Sequence, residues 1–276
     1  METAKNIPGQ STALSRAIQA IFVERRLPYA IESRLNRLFK NLGFRYATVR
    51  TDGGLRFRVR RLTSDENFVH NVVKTQEYTP EGFKIQPTDT VIDIGGNIGT
   101  FAVLAAKAAN KGRVFTFEPG SENFRLLRRN LDANGADNVV ATHAAVADSD
   151  GTIELELSEG DGGYNSTIRG RLQGVKHREV VPAISLQRIF DDNRITRCDF
   201  MKMDCEGAEY AIVKSLPLDY WQRVSRLALE YHGTELGELR RNVNELIARL
   251  EEAGLTVEHK EEHTEYLCGH VRARRR

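Results

Sequence analysis

Two groups of polar residues in this 276-residue chain have the types and spacing to do chemistry. The first is Asp93-Ile-Gly95-Gly96-Asn97-Ile-Gly99, between a short apolar run and a helix-like stretch. Glycines at such a junction let the backbone turn sharply and come close to a ligand. In an open parallel sheet, ligands bind beyond the carboxyl ends of the strands, where the winding reverses. A carboxylate at the strand tip, Asp93, is available to a cationic amine. Glu118 follows 25 residues later in Phe117-Glu-Pro-Gly120. At a second strand tip it can accept both ribose hydroxyls of an adenosine. A dinucleotide fingerprint starting at Gly95 would need glycines at positions 97 and 100, which hold Asn97 and Thr100. A nicotinamide site is therefore a distant alternative.

The second group is Asp204, Glu206 and Glu209, followed by Glu230 and His232. Glu230 and His232 lie two residues apart at the end of an apolar run, so they face one side of a strand. His232 titrates near neutrality and is the best single candidate for a general base. Asp204, Glu230 and His232 could also hold one Mg²⁺ or Mn²⁺ that polarises a hydroxyl. Glu206 and Glu209 have a plainer explanation, because the dipole of a following helix favours acids in its first turn. His70, His143, His177, His259, His263 and His270 share no ligand spacing and read as structural.

Alternating short strands and helices must position these groups. Thr90–Ile94, Arg113–Phe117, Val139–Val146, Asp199–Met203 and Arg226–Glu230 read as strands, and Thr152–Leu157 and Glu179–Leu186 alternate like further ones. Residues 98–109 and Ser121–Asn134 read as helices, the latter with Phe124, Leu127 and Leu131 inward and Gly135 as its stop. Leu236, Leu239, Val243, Leu246, Ile247 and Leu250 line one face of a long helix stopping at Gly254. Leu255–His259 and Tyr266–Val271 suit a closing antiparallel pair. This α/β alternation implies a mostly parallel sheet covered on both faces. Ahead of it, two helices divided by Pro28 are expected between Ser11 and Leu42. A β-hairpin about Asp52-Gly53 and a partly helical stretch over 65–84 follow. The expected division is an N-terminal helical and hairpin cap at 1–80 and a ligand-binding domain at 81–276.

Five motifs occur in order: Asp93-Ile-Gly-Gly-Asn-Ile-Gly99, Phe117-Glu-Pro119, Ala145-Val-Ala-Asp-Ser-Asp-Gly151, Lys202-Met-Asp-Cys-Glu-Gly-Ala-Glu209 and Leu229-Glu-Tyr-His232. Over about Glu77 to His232 the chain resembles the FkbM-type methyltransferases. The resemblance implies a Rossmann-like class I methyltransferase fold: a mostly parallel seven-stranded sheet with an antiparallel C-terminal strand. It implies S-adenosylmethionine as donor and, most often, a hydroxyl acceptor on a sugar, polyketide or similar metabolite. Carried over by motif, Asp93, Gly95, Asn97 and Gly99 would hold the methionine part, and Glu118 the ribose. Ala145 and Val146 would flank the adenine, and Glu77 and Tyr78 would cover the cofactor. Gly96 stands where alanine is more usual.

Methyl transfer to a hydroxyl needs in-line alignment, exclusion of water and a proton acceptor. His232, Asp204 and Glu230 are the catalytic candidates, with Asp204 touching the donor's methionine end and bordering the acceptor. A sulfonium explains carboxylates by charge complementarity alone, so a metal at Asp204, Glu230 and His232 is not favoured. Glu159–Gly163 sits where an acceptor lid would be.

Composition bounds the partners. No run approaches the ~20 apolar residues of a membrane helix, and a cytoplasmic protein without membrane contact is expected. Cys198, Cys205 and Cys268 show no CxxC pairing and read as small hydrophobes, not a disulfide framework. Residues 1–62 hold thirteen Lys and Arg against four Asp and Glu, a local +9, so the remainder carries −7 of the overall +2. That segment suits an anionic or carrier-bound small-molecule acceptor, a homodimer contact or a solvated face. Nucleic-acid methylation is the runner-up, weakened by the few aromatics available for stacking there. A non-catalytic cofactor-binding module is the third reading, and the Asp204–His232 group argues against it.

Overall fold

The computed structural model describes residues 37–38, 41–157, 177–233, 236–262 and 267–275. Most of the two expected N-terminal helices and the Glu159–Gly163 loop lie outside these residues. The chain divides into two compact units, Met1–Thr63 and Ser64–Arg276. Residues 64–80, grouped above with the cap, thus fall with the larger unit. Tyr78 is one reason: its ring is buried and meets Phe101 edge-on at 5.8 Å.

In the smaller unit, β1 (Tyr46–Arg50) and β2 (Arg56–Arg60) pair antiparallel, Arg50 opposite Arg56, as the turn residues predict. Strand alternation buries Phe57 and Val59 while Arg56 and Arg58 stay exposed.

The larger unit is built on a seven-stranded sheet. Its parallel members are β3 (Thr90–Ile94), β4 (Arg113–Phe117), β5 (Val139–Thr142), β9 (Phe200–Met203) and β10 (Arg226–His232). The order is β11-β12-β10-β9-β3-β4-β5, with β12 (Cys268–Arg274) antiparallel to β10 and β11 (Thr256–Glu262) antiparallel to β12. From β3 the chain winds outward through β4 to β5. It then returns to the other side of β3 through β9 and β10, so the winding reverses between β3 and β9. That reversal opens a crevice beyond the two strand tips.

The expected third strand, Val139 to Val146, is broken in two. β5 stays in the main sheet, while β6 (Ala145–Ala147) leaves it at a tight turn in which the Ala144 N–H donates to the Thr142 carbonyl. β6 joins β8 (His177–Ser185) and β7 (Gly151–Leu157) in a separate three-stranded sheet ordered β6-β8-β7. Thr142-His143 interrupts the apolar run at the break, but a polar pair does not tell which sheet the following strand joins.

Helices cover the sheet. α1 (Asp65–His70) runs into a π-helical turn, Asn71–Thr75, that ends at left-handed Gln76. α2 (Thr100–Ala108) and α3 (Ser121–Ala133) follow β3 and β4. α3 buries Leu126, Leu127 and Leu131, whereas Phe124 is only half-buried and stacks on His143 with centroids 4.9 Å apart. α4 (Leu186–Asp192) starts at a Ser185 cap, and α5 (Glu209–Ser215) and α6 (Leu218–Trp221) connect β9 to β10. α7 (Leu236–Glu252) buries Leu239, Val243, Leu246 and Leu250, as its 3.6-residue spacing predicts. Among the described residues, no helix is long and apolar enough to cross a membrane.

The main core joins β3, β4, β9 and β10 to α4–α7 around Phe115, Phe190, Met201 and Trp221. Trp221 is fully buried, and its indole N–H donates to the Val213 carbonyl at 3.2 Å. Trp221→Ala leaves both a cavity and a lone carbonyl. A loss of about 3–5 kcal/mol is expected in the urea unfolding free energy, with the slope unchanged.

Candidate active site

The site forms where two irregular turns meet at the sheet's reversal. After β3 the backbone is left-handed at Gly95 (φ 80°), Asn97 (49°) and Gly99 (85°). Asparagine tolerates that region better than most side chains, and glycine adopts it without strain. The N–H groups of Gly95 and Gly96 both donate to the Phe117 carbonyl, at 3.0 and 2.9 Å. A methyl group at Gly95 would collide with the Asp204 carbonyl, so the two turns touch backbone to backbone. At Gly96 it would meet the Thr116 hydroxyl and Leu127, so alanine could enter there only if those side chains gave way.

Asp93 lies under this turn, fully buried, in register with Thr116 on β4 and Lys202 on β9. Its Oδ2 accepts from the Thr116 hydroxyl at 2.7 Å, and Lys202 Nζ stands 3.6 Å from Oδ1. Burial raises the Asp93 pKa, against the pull of Lys202. Glu118 is also buried. It accepts from the N–H of Asn97 and Gly120, each at 2.8 Å, and from the Asn123 amide at 3.2 Å. Even so, desolvation pushes its pKa up to about 7.

Above them opens a cleft of about 610 Å³, its mouth included. Gly95, Asn97, Glu118, Ala145, Val146 and Asp204 line it, so six of the expected cofactor residues converge on one space. Asp93 and Gly99 support the turn from behind, and a methyl group at Gly99 would press on Leu127 at 3.1 Å. Glu206 also lines it, as do Phe68, Asn123 and Leu155, which the sequence did not single out. The chemistry suits an aminoacyl-adenosine. Asp93 Oδ1 and Asn97 Oδ1 are buried oxygens with no hydrogen bond among the described residues, beside a turn that leaves room for a ligand. Asn97 and Gly95 would hold an amino-acid end with Asp93 bracing their turn from beneath, Glu118 the ribose hydroxyls, and Ala145, Val146 and Leu155 an apolar base.

The second group surrounds the tips of β9 and β10. The Tyr78 hydroxyl is shared between Asp204 Oδ2 at 3.0 Å and Glu230 Oε2 at 3.1 Å. Burial, then the two carboxylates, drives its pKa well above the ordinary value. Glu77 stands apart from the cleft wall, with its Oε1 3.5 Å from His270 Nε2 and its carbonyl accepting from Arg272. His270 was read as structural, but its register places it opposite Glu230, with its Nε2 3.7 Å from Oε2.

His232 is buried among three acids. Its Nδ1 is 3.3 Å from Glu209 Oε1, and its Nε2 is 3.6 Å from Glu230 Oε1 and 3.8 Å from Glu206 Oε2. Glu206, Glu209 and Glu230 together overcome desolvation and lift its pKa well above 6.5. That enclosure favours the imidazolium form, so His232 is better placed to donate a hydrogen bond than to accept a proton. In return it holds Glu209 low, and it is the main influence taking Glu230 down to about 2. Glu209 does more than answer a helix dipole. Its Oε1 accepts from the N–H of Cys205 and Gly207 at 2.9 and 3.1 Å, which fixes the turn carrying left-handed Glu206.

Lys202 is the principal functional residue the candidate list omitted. It is a lysine inside Phe200-Met-Lys-Met203, a strand buried throughout, and it opens the fourth of the five motifs, two signals that gave it no role by themselves. Nζ donates to the Gly95 carbonyl at 2.6 Å and stands 3.5 Å from Asp204 Oδ2. Asp204, Glu230 and His232 lie close enough to share an ion, as do Glu77, Glu230 and His270. In the first set His232 Nε2 stands 3.6 Å from Glu230, and Asp204 also faces the Lys202 ammonium at 3.5 Å.

The family model for the methyltransferase FkbM domain matches residues 93–256. Methyltransferase sdnD of Sordaria araneosa is 25% identical over 169 residues, 51% of this chain and 65% of that protein. Hexuronic acid methyltransferase AglP of Haloferax volcanii is 25% identical over 178 residues, 64% of this chain and 66% of that protein. The 31-O-demethyl-FK506 methyltransferase FkbM of Streptomyces tacrolimicus is 23% identical over 221 residues, 70% and 83% of the two chains. The chain thus spans just under two thirds of the length of the first two relatives.

The charge state of His232 is directly measurable. Its ring-carbon NMR shifts should remain those of an imidazolium from pH 6 to 8. Because the folded pKa lies above 6.5, the stabilisation is fully present below about pH 6.5 and is lost as the pH rises through the raised value. His232→Gln should accordingly cost about 3 kcal/mol at pH 6 by urea unfolding, with a smaller deficit in alkali.

Proposed function

The chain belongs to the FkbM methyltransferase family, and from that premise we propose that it methylates a hydroxyl oxygen of a small polyhydroxylated molecule, with S-adenosylmethionine as donor. The observation that carries this reading is the convergence of Gly95, Asn97, Glu118, Ala145, Val146 and Asp204 on one cleft at the sheet's reversal. Bound there, the donor supplies an electrophilic sulfonium methyl group. Two of the relatives are named for acceptors rich in oxygen, a hexuronic acid and a demethylated FK506.

Asp204 is the residue to accept the hydroxyl proton. It lines the cleft, holds the Tyr78 hydroxyl, and has its pKa raised by burial toward the range of a useful base. His232 serves as a fixed cation that keeps Glu230 and Glu209 ionised, so neither competes for that proton. Tyr78 orients Asp204 and Glu230 from one hydroxyl. Asp204→Asn should lower kcat by about 10²–10⁴-fold, since it keeps the shape and removes the proton acceptor.

Thermal unfolding with S-adenosylmethionine, S-adenosylhomocysteine and NAD tests the donor. A ligand at about 100 times its Kd stabilises by about 2.7 kcal/mol, which raises the Tm by roughly 5–10 °C. The two adenosyl ligands should produce this shift and NAD should not; silence from both adenosyl ligands would end the methyltransferase reading. Glu118 adds a pH signature. With its pKa near 7, accepting two hydroxyls means giving up a proton in acid. Affinity should fall up to about tenfold per pH unit below 7, and Glu118→Gln should bind weakly with that dependence abolished. In the free protein, ionising Glu118 costs stability as the pH climbs from its ordinary 4.5 to about 7, a cost that bound ribose would offset.

A further inference from the structure

One buried group has no part in the chemistry above. The Lys202 side chain is 4% exposed, in mid-strand, with Met201 and Met203 on either side. Its ammonium faces the carbonyls of Gly95 at 2.6 Å and Ile94 at 3.3 Å, Asp93 Oδ1 at 3.6 Å and Asp204 Oδ2 at 3.5 Å. The Tyr78 ring lies 5.2 Å away, and Glu230, Cys205 and Glu118 also interact with its charge. These contacts reach three separate pieces of chain: the end of β3 with its glycine turn, the turn after β9, and the segment carrying Tyr78.

Stability does not explain a lysine here. Withdrawing an ammonium from water costs several kcal/mol, and apolar replacements of buried ion pairs are often neutral or stabilising. A methionine would match its neighbours. What a methionine cannot do is bind a carbonyl and two carboxylates at one point. That point is the place where the Gly95 turn passes against the Asp204 backbone.

We propose that Lys202 is a positioning residue for the donor site: its ammonium pins the Gly95 turn to Asp93 and Asp204. This rests on reading the cleft as the S-adenosylmethionine site. Lys202 acts through the groups it holds and touches neither the methyl group nor the acceptor. Without it, Asp93, fully buried, and Asp204, 23% exposed, lose the cation between them, and both carboxyls rise further above their ordinary range. The turn then loses the bond to its Gly95 carbonyl.

Calorimetric binding of S-adenosylhomocysteine to the full chain between pH 6 and 9 tests this without turnover. Lys202→Met should bind about 30-fold more weakly than wild type at pH 7. The gap should narrow toward pH 9 as the two carboxyls ionise unaided. Lys202→Arg, which keeps the cation, should bind within about tenfold of wild type. Propylammonium should restore Lys202→Ala saturably, and tetramethylammonium, with no N–H to donate, should not. Wild-type affinity in Lys202→Met overturns the proposal, as does a deficit equal at every pH with no amine rescue. Should the methionine and alanine variants fail to fold by circular dichroism, Lys202→Arg decides: near-wild-type binding supports the proposal and a larger loss overturns it. A wild-type protein that binds no S-adenosylhomocysteine overturns the donor reading as well, whereas an unaffected variant of a binding wild type overturns the Lys202 role alone.

Discussion

At the reversal of the sheet, the Gly95 backbone runs so close to the Asp204 carbonyl that no side chain fits between them. The rest of the site depends on this contact. It brings the ends of β3 and β9 together, so residues more than a hundred positions apart share one cleft. It also fixes the local conformations: left-handed backbone at Gly95, Asn97 and Gly99 on one side and at Glu206 on the other. Such a passage leaves backbone polar groups buried, and each needs a partner. The Phe117 carbonyl, the Glu118 carboxylate, the Lys202 ammonium and the Glu209 carboxylate supply them. The side chains that would face a ligand therefore also hold the backbone in the shape that admits one.

Charge in the site separates into two regimes. Around His232, mutual attraction exceeds desolvation: the imidazole is driven up, Glu209 is held low and Glu230 falls to about 2. Around the glycine turn, desolvation dominates, and Asp93, Glu118 and Asp204 are all raised. In the first regime the charges answer one another within the protein. The second is a set of acceptors whose charged forms are short of partners, the condition that an ammonium, a sulfonium or a pair of hydroxyls relieves. The division runs between neighbouring residues, since Asp204 and Glu230 share one Tyr78 hydroxyl.

The fold was largely legible in the chain. β3 and β4 lie where their apolar runs place them, and α3 and α7 follow their periodicity and end near Gly135 and Gly254. Reading failed at β5 and β6, because an apolar run reports burial and not the sheet it joins. In the site, the glycine turn, Glu118 and Asp204 were visible because each closes a strand next to a recognisable turn, whereas Ala145 and Val146, which open β6, were implied by the family motif alone. His270 was invisible, since its importance lies in a register with Glu230 set by a hairpin 40 residues away. Phe68 and Leu155 give no local sign that they border a cleft.

What the sequence by itself determined is the set of elements and the chemical inventory at their ends. Local periodicity, turn residues and motif order are short-range properties, and they suffice to say which strand carries which acid. Tertiary structure alone decided the charge on those acids and on His232. A lone histidine titrates near neutrality, but one enclosed by Glu206, Glu209 and Glu230 does not, and nothing in the spacing from 206 to 232 gives those distances. The same holds for Lys202, an oddity in an apolar strand until three pieces of chain close around its ammonium. The physical reason is common to both. A titration equilibrium depends on desolvation and on charges within a few ångströms, and folding sets both by contacts that sequence separation does not encode.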